Sequence, residues 1–314
     1  MRRRQFDEVV ARHAAAAGAT LLEDHEAIEP IVERGFVRGA VVRSPAGTRR
    51  IDATYVVVAD GGNSRFGRSL GTLRRPAWPV AVGVRSYWSS PRHADRAIEV
   101  SMGLADRDGD PLPGYGWVFP LGDGTVNVGI GLWSTAREFR SINPSHLLDT
   151  HLAQVAERWG IDPSAPLDAP SIGRIPMGGS VGPTAGPTFL VAGDAAAAAS
   201  AYDGEGIGAA LTTGRLAAEV LDEALTTGDA TVLQRYPRAV ADRFGDAHTA
   251  ARLVARAASH PSVMRQLSRL PVRSRRAGGW LLRLASDLLR DDHRGVPEGM
   301  QRLAVAAARL SPDA

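Results

Sequence analysis

Phe189-Leu190-Val191-Ala192 is an apolar run that ends on Gly193-Asp194, and Gly204-Glu205-Gly206-Ile207-Gly208 follows shortly after it. The pattern reads as a buried strand, a turn and a glycine-rich helix start. Such a turn holds a carboxylate at the carboxyl end of a strand, beside the free N–H groups of a helix N-terminus. The carboxylate can accept hydrogen bonds from hydroxyls, and the helix end favours negative charge. A ligand with a polyhydroxyl chain next to an anion meets both conditions, which makes Gly193, Asp194, Gly204, Glu205, Gly206 and Ile207 candidate binding residues. A second segment, Tyr55-Val56-Val57-Val58-Ala59-Asp60-Gly61, again runs from strand into an Asp-Gly turn and on to a polar helix start with Ser64 and Arg68. Plainer readings stand beside these: Asp194 as an N-cap, the glycines as close-packing positions, Ser64 and Arg68 as surface residues.

A third segment is Pro113-Gly114-Tyr115-Gly116-Trp117-Val118-Phe119-Pro120, followed by Gly129-Ile130-Gly131. Side chains on a strand repeat every second residue, so Tyr115, Trp117 and Phe119 share one face. Alternating aromatics of this kind are ordinarily core. The first two segments resemble the Gly-Asp and Asp-Gly fingerprints of the FAD-dependent monooxygenase and reductase superfamily, the group that contains aromatic hydroxylases and geranylgeranyl reductases. The aromatic segment with its trailing Gly-x-Gly resembles the geranylgeranyl reductase family within it, and Arg3-Arg4-Gln5-Phe6-Asp7 is similar to that family's Arg-x-x-Phe-Asp helix.

The resemblance implies FAD as cofactor, held by Arg3, Asp60, Gly61, Ser64, Arg68 and the residues of the Gly193 to Ile207 segment. It implies substrate contacts from Tyr115, Trp117 and Phe119, and a reaction in which reduced flavin saturates a double bond of an isoprenoid lipid such as a menaquinone or a geranylgeranyl lipid. It names no proton donor and no electron donor. The family's opening strand, Gly-x-Gly-x-x-Gly turn and ribose-binding acid, roughly 30 residues or more, have no counterpart here. On that reading the phosphate side of FAD loses its partners, and the apolar edges at Val56 to Val58 and Leu190 to Ala192 stand open. Two further departures are Ala197, where relatives show glycine, and Ser200-Ala201, where they show Asn-Pro. A flavin monooxygenase acting on an aromatic or polyketide-like substrate, and a truncated inactive remnant, remain as alternatives.

Composition narrows the rest. The chain has 314 residues, enough for a full core, and no cysteine, which excludes disulfides, thiolate metal sites and cysteine nucleophiles. All 37 basic residues are arginine, so lysine Schiff-base chemistry is excluded too. A net charge of +3 with dispersed arginines gives no basis for a nucleic-acid partner. No run approaches the about 18 apolar residues of a membrane span, and the start lacks a signal-peptide core. A cytoplasmic protein is expected, with peripheral contact at the inner face of a membrane left open by the basic stretch around Trp280. His146 and His151 miss the spacing that brings two metal ligands together, and no metal is expected.

The chain divides into a first FAD-binding part (1–74), a substrate domain (75–170), a second FAD-binding part (171–225) and a C-terminal helical region (226–314). The expected architecture is an incomplete three-layer α/β FAD-binding fold, p-hydroxybenzoate hydroxylase-like, with an inserted β-rich domain. Helical spacing covers Phe6 to Ala17 and Asn143 to Trp159, the latter with a stripe of Leu148, Leu152, Val155 and Trp159. From Ile207 onward, Ile207, Leu211, Gly214, Ala218 and Leu221 share a face, and breaks fall at Pro261, Pro271 and Gly295. Thr20 to Ser44 reads as strands with a turn at Glu33-Arg34-Gly35, and Ile51 to Ala59 as one buried strand.

Overall fold

The computed structural model describes residues 1–106, 109–136, 139–258, 260, 262–266, 274, 276, 278–280, 283 and 295–309. Helix α1 (Arg3–Ala16) opens the chain and buries none of its residues. Its first turn is held from outside: the Arg3 amide donates to the Tyr87 hydroxyl at 3.5 Å, and the Arg2 guanidinium lies 5.3 Å from the centre of the same ring. Strands β1 (Glu26–Glu33), β2 (Phe36–Ser44) and β3 (Gly47–Asp52) form an antiparallel meander. Arg34 and Gly35 turn its first hairpin with φ of 52° and 85°, the positive values a tight hairpin needs.

The run from Ile51 to Ala59, expected as one strand, is two. β3 ends in the meander, and β4 (Val56–Val58) pairs in parallel with a strand from much later in the chain, Phe189–Val191. The backbone changes partners between them: the Ala53 N–H still reaches the Arg38 carbonyl, while the Val56 N–H goes to that of Thr188. An apolar run shared by two sheets cannot be told from one strand by periodicity. After β4 come the short helix α2 (Arg65–Ser69) and β5 (Leu73–Arg74).

Next is a five-stranded antiparallel sheet. It contains β6 (Val80–Ser89), β7 (Glu99–Ser101), β8 (Gly114–Pro120), β9 (Thr125–Trp133) and β10 (Ser171–Pro176), in the order β10-β6-β9-β8-β7. Its two faces differ sharply. Val84, Val118, Val126, Val128, Ile130 and Leu132 are fully buried on one face, against Leu148, Leu152, Val155 and Trp159 of α3 (Pro144–Trp159). The Asn143 side chain caps α3 by accepting from the Ser145 amide at 3.0 Å, and Pro144 sits in its first turn, where a missing N–H costs nothing. The other face carries glycines and aromatics and looks onto open space.

β11 (Val181–Gly182) pairs with β5, and β12 is the Phe189–Val191 partner of β4. Val58, Phe189 and Val191 pack with Val37 and Phe66, while Leu190 faces α4 (Ile207–Thr227) and Tyr236 at the start of α5 (Tyr236–Ala258). The apolar face read from the sequence on α4 is buried only in part, with Leu221 packed against the core around Leu190. Ala209, Thr213, Ala217 and Ala224 are buried, whereas Ile207 and Leu211 are 40% and 53% exposed. Small residues win that face because the helix lies close on β12: the Thr213 hydroxyl accepts from the Gly193 amide at 3.0 Å. The two expected open edges also separate. Val57 is 42% exposed, but Leu190 to Ala192 are buried, with β4 on one side and the Thr184 carbonyl accepting from the Val191 amide on the other. In the C-terminal region Trp280 is exposed and helix Val296–Arg309 follows the break at Gly295. Pro261, Pro271 and most of the basic stretch lie outside the described residues.

Ala197 ends the 3-10 turn Gly193–Ala196 in a left-handed conformation, φ 55°, and is fully buried. A side chain there costs about 1–2 kcal/mol relative to glycine, partly offset by glycine's larger unfolded-state entropy. Ala197→Gly should therefore raise stability by up to about 1 kcal/mol. An unchanged or lowered denaturation midpoint would show that the methyl group's packing outweighs the backbone strain.

Candidate functional site

A cavity of about 730 Å³ lies between the open face of the five-stranded sheet and the turn after β12. That is within the roughly 300–1,000 Å³ of small-molecule sites. Its walls bring together Arg3, Gly61, Tyr115, Trp117, Phe119, Gly193, Asp194, Gly204, Glu205, Gly206 and Ile207, which come from distant parts of the chain. Asp60, Ser64 and Arg68 are not among its lining residues. The Asp60 carboxylate accepts from the Phe66 amide at 3.1 Å and so holds the start of α2; Arg68 donates to the Asn63 carbonyl; Ser64 is buried beneath the helix. These three shape the turn that presents Gly61.

The aromatic wall is built by the strand alternation. Tyr115, Trp117 and Phe119 stand half-buried on the cavity side of β8, while Gly116 and Val118 are buried on the other. Trp117 stacks on Phe119 with ring centres 5.8 Å apart and planes at 21°, and its indole N–H donates to Asn127 Oδ1 at 3.0 Å. A Cβ on Gly129 would come within 2.2 Å of the Trp117 ring, so the first glycine of the Gly-x-Gly pair is the seat of that indole. Tyr115 lies 5.8 Å from Trp133, and its hydroxyl donates to the Asp203 carbonyl, which ties the sheet to the loop before α4. Burial pushes the Tyr115 phenol above its ordinary range.

The polar wall is the turn after β12 and the start of α4. Gly193 adopts φ 60°, and Asp194 follows it with a carboxylate that accepts no hydrogen bond among the described residues. Burial, countered by Arg3 and reinforced by Glu205, raises the Asp194 carboxyl above the usual carboxylate range. The loop closes on itself: the Gly204 amide donates to the Ser200 carbonyl and the Ser200 amide to that of Glu205, both at 2.9 Å. Glu205 Oε1 accepts from the Gly208 amide at 2.7 Å and Asp203 Oδ1 from the Glu205 amide at 3.0 Å. Burial raises the Asp203 carboxyl as well.

Sequence reasoning missed Arg85, Trp133 and Asp203, all on the cavity wall. The first two could have been found from alternation, since Gly83 and Arg85 alternate with buried Val84 on β6, and Gly131 and Trp133 with buried Ile130 and Leu132 on β9. Asp203 had no such signal; it lies in a turn. Among the described residues no group of His, Asp or Glu is arranged to hold a metal, and no helix is long and apolar enough to cross a membrane.

A family profile described as FAD binding domain matches residues 2–165. Menaquinone reductase from Mycobacterium tuberculosis is 32% identical over 292 residues, which is 93% of this chain and 69% of the relative. The chain belongs to the geranylgeranyl reductase family of FAD-dependent oxidoreductases. Another member, digeranylgeranylglycerophospholipid reductase from Methanoculleus marisnigri, is 34% identical over 230 residues, covering 72% of this chain and 54% of its own. A geranylgeranyl bacteriochlorophyll reductase-like protein from Thermoplasma acidophilum superposes with a TM-score of 0.72 at 24% identity, over 91% of this chain and 74% of that one. The architecture is thus the p-hydroxybenzoate hydroxylase type of FAD-binding fold.

The cavity residues fit the ring and ribityl part of FAD. A Cβ on Gly206 would approach Asp194 Oδ1 at 3.1 Å, and Gly61 and Gly204, at φ 79° and 74°, leave their backbone bare toward the space. Asp194 would serve as an acceptor for ribityl hydroxyls, and the N-terminus of the 21-residue helix α4 would suit the negative charge of the reduced ring.

The same turn rests on a buried pair from α5. His248 hydrogen-bonds the Ala198 carbonyl at 3.2 Å and stacks on Phe244, and burial lowers its pKa from 6.5 to about 4. The unfolded state therefore binds more protons between pH 6.5 and 4, and stability is lost as pH falls through that window. The full effect is about 3 kcal/mol. Asp194 and Asp203, with raised pKa values, act with the opposite sign, so the comparison of wild type with His248→Gln isolates the histidine. Denaturation midpoints should fall more steeply on acidification in wild type than in the variant; parallel profiles would place His248 outside this linkage.

Proposed function

We propose that this protein saturates a carbon–carbon double bond in an isoprenoid chain, with menaquinone-type or geranylgeranyl lipids as its substrate class. The observation that carries the reading is the junction of an aromatic wall, Tyr115, Trp117 and Phe119, with the Asp194 and Gly204 to Ile207 wall in one cavity. The named activities of the mycobacterial and methanogen relatives support it. Bound and reduced, FAD supplies the hydride equivalent that one alkene carbon receives.

The protein's residues supply orientation, dryness and the proton. Asp194 and the α4 N-terminus fix the cofactor; the aromatic wall excludes water from the alkene and presents flat apolar surface to it. The proton for the other carbon is assigned to Asp203. Its carboxyl is engaged by the Glu205 amide at Oδ1 and by the Ser200 hydroxyl, and burial outweighs both in favouring the protonated form that can donate. Bulk water reprotonates it after each turnover.

Anaerobic incubation of the chemically reduced protein with geranylgeranyl lipid or menaquinone, followed by mass spectrometry, should show the gain of one hydrogen pair. Asp203→Asn should slow that product by roughly 100-fold, within the range of a lost general acid, while flavin absorbance is retained. Oxygen uptake with a hydroxylated product, and no alkene reduction without oxygen, would replace this reading with a monooxygenase. An Asp203→Asn protein at full rate would leave saturation standing and remove Asp203 from it.

A further inference from the structure

Helix Val296–Arg309 carries apolar residues on two opposite sides. At about 100° per residue, Val296, Met300 and Leu303 fall on one side and Val305 on the other. The helix packs on α5 with Val305 buried, and the buried Glu298 is ion-paired with Arg283. The first side is bare. Val296 and Met300 are each 51% exposed, and Leu303, at 72%, is the most exposed large apolar side chain among the described residues. A surface helix ordinarily turns polar residues outward, so this stripe calls for a cover.

The charge around the stripe has one sign. Residues 259–314 carry ten arginines and five acidic residues, against 27 and 29 in the residues before them. On the helix itself the one acid, Glu298, is buried in its ion pair, while Arg302 is exposed. The same ion pair fastens to the helix the segment that bears Arg276 and Trp280, both exposed.

An apolar stripe, a cationic surround and a tryptophan on the attached segment make up a surface suited to a membrane interface. With 14 residues the helix is too short to cross the about 30 Å core of a bilayer, so it would lie along the surface. Charge selects the lipid, because arginines pair with the phosphates of anionic headgroups. Charge also disfavours a second copy of the chain on this face, since two cationic surrounds would meet.

We propose that the exposed side of helix Val296–Arg309 is a docking surface for an anionic lipid bilayer. Val296, Met300 and Leu303 enter the boundary between headgroups and acyl chains, and the arginines hold the headgroups. The inference stands apart from the isoprenoid reading, because none of these residues lines the cavity.

The test is flotation of the FAD-loaded 314-residue protein with vesicles of phosphatidylglycerol or of phosphatidylcholine, neither of which contains an isoprenoid. Wild type should bind phosphatidylglycerol vesicles, and bind at least about tenfold more weakly to phosphatidylcholine vesicles or in about 0.5 M salt. The double variant Met300→Gln, Leu303→Gln alters only exposed side chains and should fold; Val296→Gln is a second, milder change. The double variant should lose affinity for phosphatidylglycerol vesicles at least about tenfold, with flavin absorbance and melting temperature unchanged. Wild type that does not float overturns the proposal, and so does flotation that both variants leave unchanged. Equal affinity for the two lipids overturns the anionic choice. A lipid-free dimer that the glutamine variants dissociate would place a second copy on the stripe and overturn it as well. Each of these results leaves alkene reduction as it stands.

Discussion

Replacement of Asp194 by alanine should strip the protein of FAD while leaving it folded. The carboxylate stands at the end of β12, accepts no hydrogen bond among the described residues, and faces the cavity beside the start of α4. Its removal breaks no hydrogen bond among the described residues, whereas it takes away the acceptor proposed for ribityl hydroxyls. A charge-assisted hydrogen bond of this kind contributes about 1.5–3 kcal/mol, so the dissociation constant should rise roughly 10- to 150-fold. The wild type carries its own control. Because burial raises the Asp194 carboxyl, FAD affinity should fall on acidification at a higher pH than an ordinary carboxylate would give. Fluorescence titration with FAD across pH measures both effects. Full retention of flavin through dialysis by the alanine variant would remove Asp194 from the cofactor site.

The second large effect is expected at Trp117. Its indole is fixed three ways: over Gly129, against Phe119, and by the N–H donated to Asn127. It is the middle of the aromatic wall, and its truncation opens the cavity toward water. The loss of apolar contact with a long chain is about 2 kcal/mol, or roughly 30-fold in kcat/KM for a polyprenyl substrate. Reduction of the flavin itself should change little, because Trp117 lies on the sheet wall and not on the turn that carries Asp194. Trp117→Phe should restore much of the rate. Equal losses in stopped-flow flavin reduction and in alkene reduction would identify Trp117 as a core residue whose loss loosens the whole sheet.

What the sequence by itself determined is local and periodic. The strand-turn-helix pattern at Phe189 to Gly208, the alternation of Tyr115, Trp117 and Phe119, and the capped helix at Pro144 to Trp159 were all legible, because each depends on the spacing of neighbouring residues. Periodicity also misled where one signal served two partners. The apolar run from Ile51 to Ala59 crosses from one sheet to another, and Ile207 and Leu211 of α4 stay exposed while its alanines and Thr213 are buried where the helix approaches β12.

The tertiary structure decided which candidates share a site. Asp60, Ser64 and Arg68 sit in a motif as suggestive as the one around Asp194, yet their side chains organise α2 while Val57, Ala59 and Gly61 of the same segment reach the cavity. Asp203 and Trp133 carried no motif and stand on the wall. Three glycines on the cavity wall show the reason most directly. Gly83, Gly131 and Gly173 are far apart in the chain, and they become one surface only through the register of three antiparallel strands. Register is a property of paired strands, fixed by which faces are buried; in this sheet the buried face is the set of valines, isoleucine and leucine packed on α3, and the open face is what their burial leaves for a ligand.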